Sequence, residues 1–360
     1  MKITHIEKWK VVVPLKPDAV NSPAYDSEDE SLSWFGNVPK HIIRIHTDDS
    51  GIVGVGETAR GCSAEQVDKA IAALTGKAVE GIDLHALPIE RNDVYGAFEM
   101  ALFDLVGKQL GVTAARLLGA QVRDRVLVDF WTGRRTPEDL ARKAKEGRAL
   151  GFHGIKIKCT LEDPNVERLQ AIADAVGTDF KVTVDPNCRF YEPDHTLELA
   201  EALGDLRQIV AVFEDPVPKE DLDWYVRLRQ QLQVPLAMHL YSGKDVFEAV
   251  KHEAVDMLNI SPGSMVTFVK ACYIAEQAGV PVWHGSGVDL GIMDMSFVQA
   301  CAAAPAATLP SDIVGTFVRE DDLIVEPIRM EEGYALVPEK PGLGVELDEA
   351  AVNRYAVAEE

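Results

Sequence analysis

The chain has 360 residues, 47% of them hydrophobic and 26% charged, enough apolar material for a sizeable core and too much for a disordered chain. Its 36 Lys and Arg stand against 58 Asp and Glu, a net charge of −22, which repels phosphate backbones and anionic lipid and so excludes nucleic acid and membrane surfaces as expected partners. Cys62, Cys159, Cys188, Cys272 and Cys301 are scattered without a CxxC pair, and the N-terminus has no sustained apolar run; reduced thiols and a cytoplasmic location are the expectation.

Residues 1–124 read as a separate α+β unit. KITHIEKWKVVV, HIIRIHTDD and GIVGVGE have the pattern of an antiparallel meander, and VYGAFEMALFDLVGKQLG that of a helix. The polar stretch Ser22 to Pro39 interrupts the meander and carries Trp34 and Phe35. A long loop inside a compact unit predicts a lid, with those two aromatic residues as candidate substrate contacts. Residues 125–313 alternate short β-branched runs (VLVDFW, GIKIKC, KVTVDPN, VAVFEDPV, PLAMHL, DMLNIS, PVWHGSG) with amphipathic helical stretches. Repeated β-then-α units build a parallel sheet, and seven or eight in a row favour a barrel. No GxGxxG or Walker loop follows any of the runs, which disfavours an open doubly wound sheet. Residues 314–360 return to short-strand and turn material and are expected to complete the N-terminal unit.

Strand parity then selects the side chains that face inward. Ile155 and Ile157, Val182 and Val184, Phe213, and Leu236, Met238 and Leu240 take the helix-facing side, which turns Lys156, Lys158, Asp185, Glu214 and His239 toward the interior. The same rule places Asn259, Ser261 and His284 inside. Two lysines and two carboxylates at the C-terminal ends of adjacent strands are costly unless paired. A divalent cation held by Asp185, Glu214 and a third ligand, with the lysines across a bound anionic substrate, relieves both costs, and oxygen ligands favour Mg²⁺. An internal salt-bridge cluster without metal is the alternative.

Lys156-Ile157-Lys158, the VDPN run ending at Asn187, the FEDP run ending at Pro216, the helix AFEMALFDLVGKQLG and the terminal PEKPGLGVELDEAAVNRYA together resemble the enolase superfamily in its mandelate racemase and muconate lactonizing enzyme branch. The resemblance covers nearly the whole chain. It implies an α/β fold, a modified (β/α)7β barrel under an α+β cap built from both termini. It also implies abstraction of the proton α to a carboxylate, with Mg²⁺ stabilising the enediolate, Lys158 in the place of the strand-two base and Lys156 beside it. Asn187 joins the substrate-binding set, and a homo-oligomer acting on a small-molecule carboxylate is expected.

Three positions depart from the branch's usual pattern. His239 stands where the third metal ligand is usually Asp or Glu, as in a galactarate dehydratase group of the superfamily. Ser261 stands where racemases and cycloisomerases carry a strand-six acid or base. Strand seven reads HGSGVDLG, placing His284, Ser286 and Asp289 where acid catalysts or substrate contacts belong. The expectation is an acid-sugar dehydratase in which Lys158 takes the C2 proton and His284, or His41 from the cap, helps expel the C3 hydroxyl. A cycloisomerase or epimerase of the same superfamily, and a barrel that binds metal or ligand without catalysis, are the alternatives. Arg44, Arg60 and Arg189 are candidates for a second substrate carboxylate.

Overall fold

Short apolar-rich runs separated by polar, turn-forming residues in the N-terminal unit call for an antiparallel sheet. The computed structural model describes residues 1–25, 36, 38–49 and 51–358. In it β1 (Ile3–Val11), β2 (Lys40–Thr47) and β3 (Val53–Glu57) form an antiparallel sheet in that order. Parity along β2 divides its side chains: Ile43 and Ile45 join a cap core with Ile3, Phe98 and Leu102, whereas Ile42 joins the main core. The cap core is completed by α1 (Ala64–Leu74) and α2 (Tyr95–Leu110).

Helix α2 is apolar almost all round because it lies between two cores: Phe98 and Leu102 face the cap, Met100 and Phe103 the main core. Its backbone lies directly on β3. A Cβ at Gly56 would run into the carbonyl oxygen of Ala97, and one at Gly54 into that of Ala101. Gly56→Ala is therefore expected to destabilise the protein by about 3 kcal/mol, because backbone cannot swing aside as a side chain can; a urea titration measures it.

After α3 (Ala114–Leu118) and β4 (Arg125–Leu127) the chain alternates regularly through β5 (Phe130–Thr132), α4 (Pro137–Ala149), β6 (Gly154–Lys158), α5 (Asn165–Val176), β7 (Lys181–Asp185), α6 (Pro193–Ala202), β8 (Val210–Glu214), α7 (Leu222–Gln231), β9 (Leu236–Leu240), α8 (Gly243–Lys251), β10 (Met257–Ile260), α9 (Met265–Gln277), β11 (Val282–His284) and α10 (Gly291–Ala303). The seven strands β5 to β11 form one parallel sheet in chain order. Residues 307–311 close it, bridging in parallel to β11 at Val282↔Ala307 and to Val128, just before β5, at Ser311. The parity expectation meets its counterpart in two separate clusters. Ile155, Ile157, Val182, Val184, Phe213, Leu236 and Met238 pack outward under the helices, and Val212, Ala237 and Trp283 pack inside the sheet. With Trp283 inside, its neighbour His284 falls on the helix side against Phe268 and Phe297, which corrects the parity expectation for that residue, and it meets the cavity only at the strand's end.

Beyond the barrel come α11 (Gly315–Val318), β12 (Met330–Glu331), β13 (Tyr334–Leu336) and α12 (Glu349–Tyr355). β13 pairs with β4, and the chain end returns to the cap sheet, where Val12 N–H donates to the Tyr355 carbonyl at 3.0 Å.

The cap is docked by buried carboxylates. Glu57 at the end of β3 accepts the Leu290 and Met293 N–H groups at 2.8 and 2.9 Å, at the N-terminus of α10. Glu99 on α2 accepts the Ser264 hydroxyl at 2.9 Å and the Val266 N–H at 3.4 Å, at the N-terminus of α9. Carboxyl oxygens at these positions satisfy otherwise orphaned N–H donors at the two helix N-termini. Part of the chain's acidity is thus internal and joins cap to barrel.

Burial pushes the Glu99 carboxyl up to about 7 from an ordinary 4.5, so between those values the native state holds a proton that the unfolded chain has lost. Its stabilising contribution is complete below pH 4.5 and is lost as pH rises through 7, on the order of 3 kcal/mol. Glu99→Gln is expected to flatten that part of the stability–pH curve, read as the difference between wild-type and variant melting from pH 5 to 8.

Candidate active site

Inward parity on neighbouring parallel strands brings distant residues together at the C-terminal rim of the barrel. A cavity of 360 Å³ opens there, lined by Lys156, Lys158, Asn187, His239, Ser261, His284 and Asp312 from the barrel and by Ala59, Arg60, Asp93 and Gly96 from the cap. Lys158 Nζ donates to Asp185 Oδ2 and, at 2.7 Å, to Asn187 Oδ1. Lys156 Nζ lies among three carboxylates, 2.7 Å from Glu214 Oε2, 2.9 Å from Asp312 Oδ2 and 3.3 Å from Asp185 Oδ2. Burial opposes the charge on Lys156, but Asp312, Glu214 and Asp185 outweigh it and hold the ammonium well above its ordinary value. Lys156 is a fixed cation here rather than a proton acceptor. Burial likewise opposes ionisation of Asp185, which Lys158 and Lys156 nonetheless hold below the usual carboxylate range; Glu214 is pushed up by burial and by the charge of Asp185.

The metal-ligand candidates lie on adjacent strands. Glu214 accepts from Asn259 Nδ2 at 2.7 Å, and His239 Nδ1 lies 3.9 Å from Glu214 Oε1. His239 Nε2 is buried without a hydrogen-bond partner among the described residues. Burial, followed by the charges of Lys156 and Lys219, holds this imidazole neutral, well below its ordinary pKa, which leaves a nitrogen lone pair available for coordination. Two carboxylates and a neutral imidazole with an unspent nitrogen fit a divalent ion by donor chemistry. Among the described residues, however, the only three such groups with ligand atoms all within 4.8 Å of one another are His5, Glu7 and His46, on the outer cap. The His5 and His46 rings there are stacked, 4.1 Å apart and 9° from parallel. An ion cannot lie in the planes of both, as imidazole coordination demands.

His284 is buried, stacked on Phe297 at 3.6 Å, with Nδ1 3.1 Å from the Ile260 carbonyl. A carbonyl only accepts, so Nδ1 carries the hydrogen and Nε2 the lone pair. Burial lowers the pKa of this histidine to about 4. The expectation that His284 donates a proton to a leaving hydroxyl is therefore corrected: near neutral pH it is an acceptor.

The other candidates fall as follows. His41 lies on the face of β2 that carries Ile43 and Ile45 into the cap core, and it is not among the residues lining the cavity. The expected role for it in proton transfer is corrected by this parity, which aims its neighbour Lys40 at the barrel instead. Lys40 is held by Glu57 and, at 2.6 Å, by Asp289. Ser286 and Asp289 line the cavity, but Asp289 also accepts from Ser286 Oγ at 2.8 Å and Gly287 N at 2.9 Å, so much of its capacity goes to shaping its own loop. Arg44 pairs with Glu7 and Glu349 at the cap surface, and Arg189 donates to the Asn187 carbonyl; of the three arginines only Arg60 reaches the cavity. Ser261 donates to the Gly285 carbonyl at 2.6 Å, tying two strands together. Trp34 and Phe35 lie outside the described residues.

Sequence reasoning missed Asp312. Its strand, within TLPSDI, lacks a β-branched run and makes only isolated bridges, so nothing periodic marks it. The acidic residue directly after a small-residue turn was the one available signal.

Residues 139–351 match the family described as enolase C-terminal domain-like. The chain belongs to the enolase superfamily, in its mandelate racemase and muconate lactonizing enzyme branch. Among curated relatives of this enolase-superfamily enzyme, an N-succinyl-L-Arg/Lys racemase of Bacillus cereus is 26% identical over 99% of this chain and 98% of its own. A chloromuconate cycloisomerase of Cupriavidus pinatubonensis is 29% identical over 88% and 91%, and an arabinonate dehydratase of Saccharolobus solfataricus 28% over 71% and 70%. The crystal structure of the Bacillus cereus racemase shares the fold, with a TM-score of 0.87 at 24% identity over 100% of this chain and 99% of that one. No described helix is long and apolar enough to cross a membrane.

Proposed function

We propose that the protein is an isomerase that moves the proton α to a carboxylate, a racemase or epimerase in the first instance, with Lys158 and His284 as its two bases. The observation that carries this reading is His284: its Nδ1 hydrogen is committed to Ile260, which leaves Nε2 as the acceptor of a side chain that lines the same cavity as Lys158. The two come from the second and seventh strands of the wall, so they approach a bound substrate from different sides. Ser261 leaves no base on strand six, and His284 supplies the one a two-base exchange needs.

Asp185, Glu214 and His239 would hold a divalent ion, Mg²⁺ in most of this superfamily, which when bound supplies Lewis-acid stabilisation of the charge that develops on the substrate carboxylate. The rest belongs to side chains. Lys156, fixed as a cation by three carboxylates, adds positive potential beside the substrate carboxylate. Asn187 holds the Lys158 ammonium in place, and Lys158 serves as base once it has shed its proton. Arg60 and Asp93 on the cap side offer one charge of each sign to the remainder of the substrate.

Similarity to the N-succinyl amino-acid racemase and the chloromuconate cycloisomerase supports an isomerase. Dehydration of an acid sugar is the second reading, supported by similarity to the arabinonate dehydratase but lacking the acid that His284 was expected to be. The test is incubation in D₂O with N-succinyl amino acids, dipeptides and acid sugars. Deuterium at the α-carbon with no loss of water establishes the first reading, and a 2-keto-3-deoxy product replaces it with the second.

A further inference from the structure

His239 is gripped by its backbone on both sides. Its N–H donates to Asp215 Oδ1 at 2.9 Å, and its carbonyl accepts from Lys219 Nζ at 2.8 Å. Lys219 closes the triangle by donating to Asp215 Oδ2, also at 2.8 Å. Asp215 is buried and is itself anchored: its N–H donates to the Ala237 carbonyl at 3.0 Å, and its own carbonyl accepts from Cys188 N–H at 2.7 Å. It holds this place at a φ of +46°, in the left-handed region that costs a side-chain-bearing residue of order 1 kcal/mol or more. The Tyr241 ring lies 4.6 Å from the imidazole, and Lys219 Nζ 5.4 Å from the Tyr241 centroid. Backbone and ring are thus both restrained, while the buried Nε2 keeps its valence unspent among the described residues.

A buried carboxylate and its half-buried lysine partner spent on one residue's backbone, with the carboxylate's residue at a strained φ, is what precise presentation of a ligand atom requires, since ligand atoms must be held within a few tenths of an ångström. Imidazole nitrogen is a softer donor than carboxylate oxygen. Mg²⁺ prefers oxygen and surrenders water reluctantly, whereas affinity for nitrogen-containing sets rises from Mn²⁺ through the later first-row ions.

We propose that Asp215 and Lys219 are positioning residues that present His239 as a nitrogen donor to the divalent centre, and that this centre accordingly prefers Mn²⁺ and later first-row ions to Mg²⁺. The inference rests on the reading above that Asp185, Glu214 and His239 hold the ion.

Mn²⁺ is added to the metal-stripped full-length protein, with Mg²⁺ as competitor, and bound Mn²⁺ is followed by continuous-wave and pulsed electron paramagnetic resonance. The expected result is a nitrogen coupling to Mn²⁺ that disappears in His239→Asp, with the Mn²⁺-to-Mg²⁺ affinity ratio falling about 10-fold in that variant. Lys219→Met weakens Mn²⁺ binding by about 10-fold and Lys219→Arg restores most of it, as expected for a residue that orients a ligand. The wild-type coupling is read without any variant, so a Lys219→Met protein that fails to fold does not remove the test. Mn²⁺ binding and turnover without nitrogen coupling overturn this inference and leave the proposed function standing. Failure to bind either ion overturns both.

Discussion

Lys158→Ala is expected to lower racemisation about 10³-fold, the usual scale for loss of a positioned general base, while exchange at one substrate antipode survives. With Lys158 and His284 on different sides of the substrate, each abstracts the α-proton from one configuration only. In D₂O the Lys158→Ala protein should still exchange the antipode that presents its proton to His284, and His284→Asn should show the opposite preference. Asn keeps a donor toward Ile260 and removes the Nε2 acceptor, so it changes the proton transfer more than the packing. Proton NMR of each antipode under single-antipode conditions reads the split. Equal loss of both exchanges in both variants would sink the two-face arrangement and point to a single base. The low pKa of His284, about 4, adds a signature. The limb that uses it should persist below pH 6, where an ordinary histidine would already be protonated and inactive as a base.

The second large effect lies at the joint between cap and barrel. Lys40 is 3% exposed and pairs with Glu57, itself fully buried, and with Asp289 at 5% exposure. Burial works against its charge, but Asp289 and Glu57 outweigh that and raise its pKa. Lys40→Met preserves the length of the side chain and leaves two carboxylates facing each other in a dry interior. A loss of about 3–5 kcal/mol is expected, seen as a lower denaturation midpoint. Asp289 also shapes the Ser286 loop at the cavity, so catalysis should weaken in step with stability. The double variant Lys40→Met, Asp289→Asn removes one of the stranded charges and is expected to recover part of the loss; no recovery would mean that the pair is not the source of the effect.

Much of the rim was readable from the strands themselves. In GIKIKC, KVTVDPN and VAVFEDPV the alternating Ile155 and Ile157, Val182 and Val184, and Phe213 form the helix-facing set, and a period of two then turns Lys156, Lys158, Asp185 and Glu214 to the interior. His239 follows from Leu236, Met238 and Leu240 in the same way. His41 failed because β2 is buried on both faces: Ile42 and Ile43 serve different cores, so parity in that strand does not distinguish an inside from an outside. The acid role expected of His284 failed for another reason. Its direction of proton transfer depends on a carbonyl 24 positions away and on the dry stacking surface of Phe297.

Sequence alone therefore determined the alternation of strands and helices, the class of fold, and which side chains of the barrel's second to fifth strands turn inward, because these follow from local periodicity and from the cost of burying charge without a partner. Only the tertiary structure decided how those side chains spend their hydrogen bonds. Asp312 reaches Lys156 across 156 positions of chain, Glu57 and Glu99 cap helices of another unit, and Asp215 with Lys219 secures His239 from a neighbouring strand. Donor and acceptor pairing in a low-dielectric interior is set by distances of a few ångströms between residues far apart in the chain, and no local pattern encodes them.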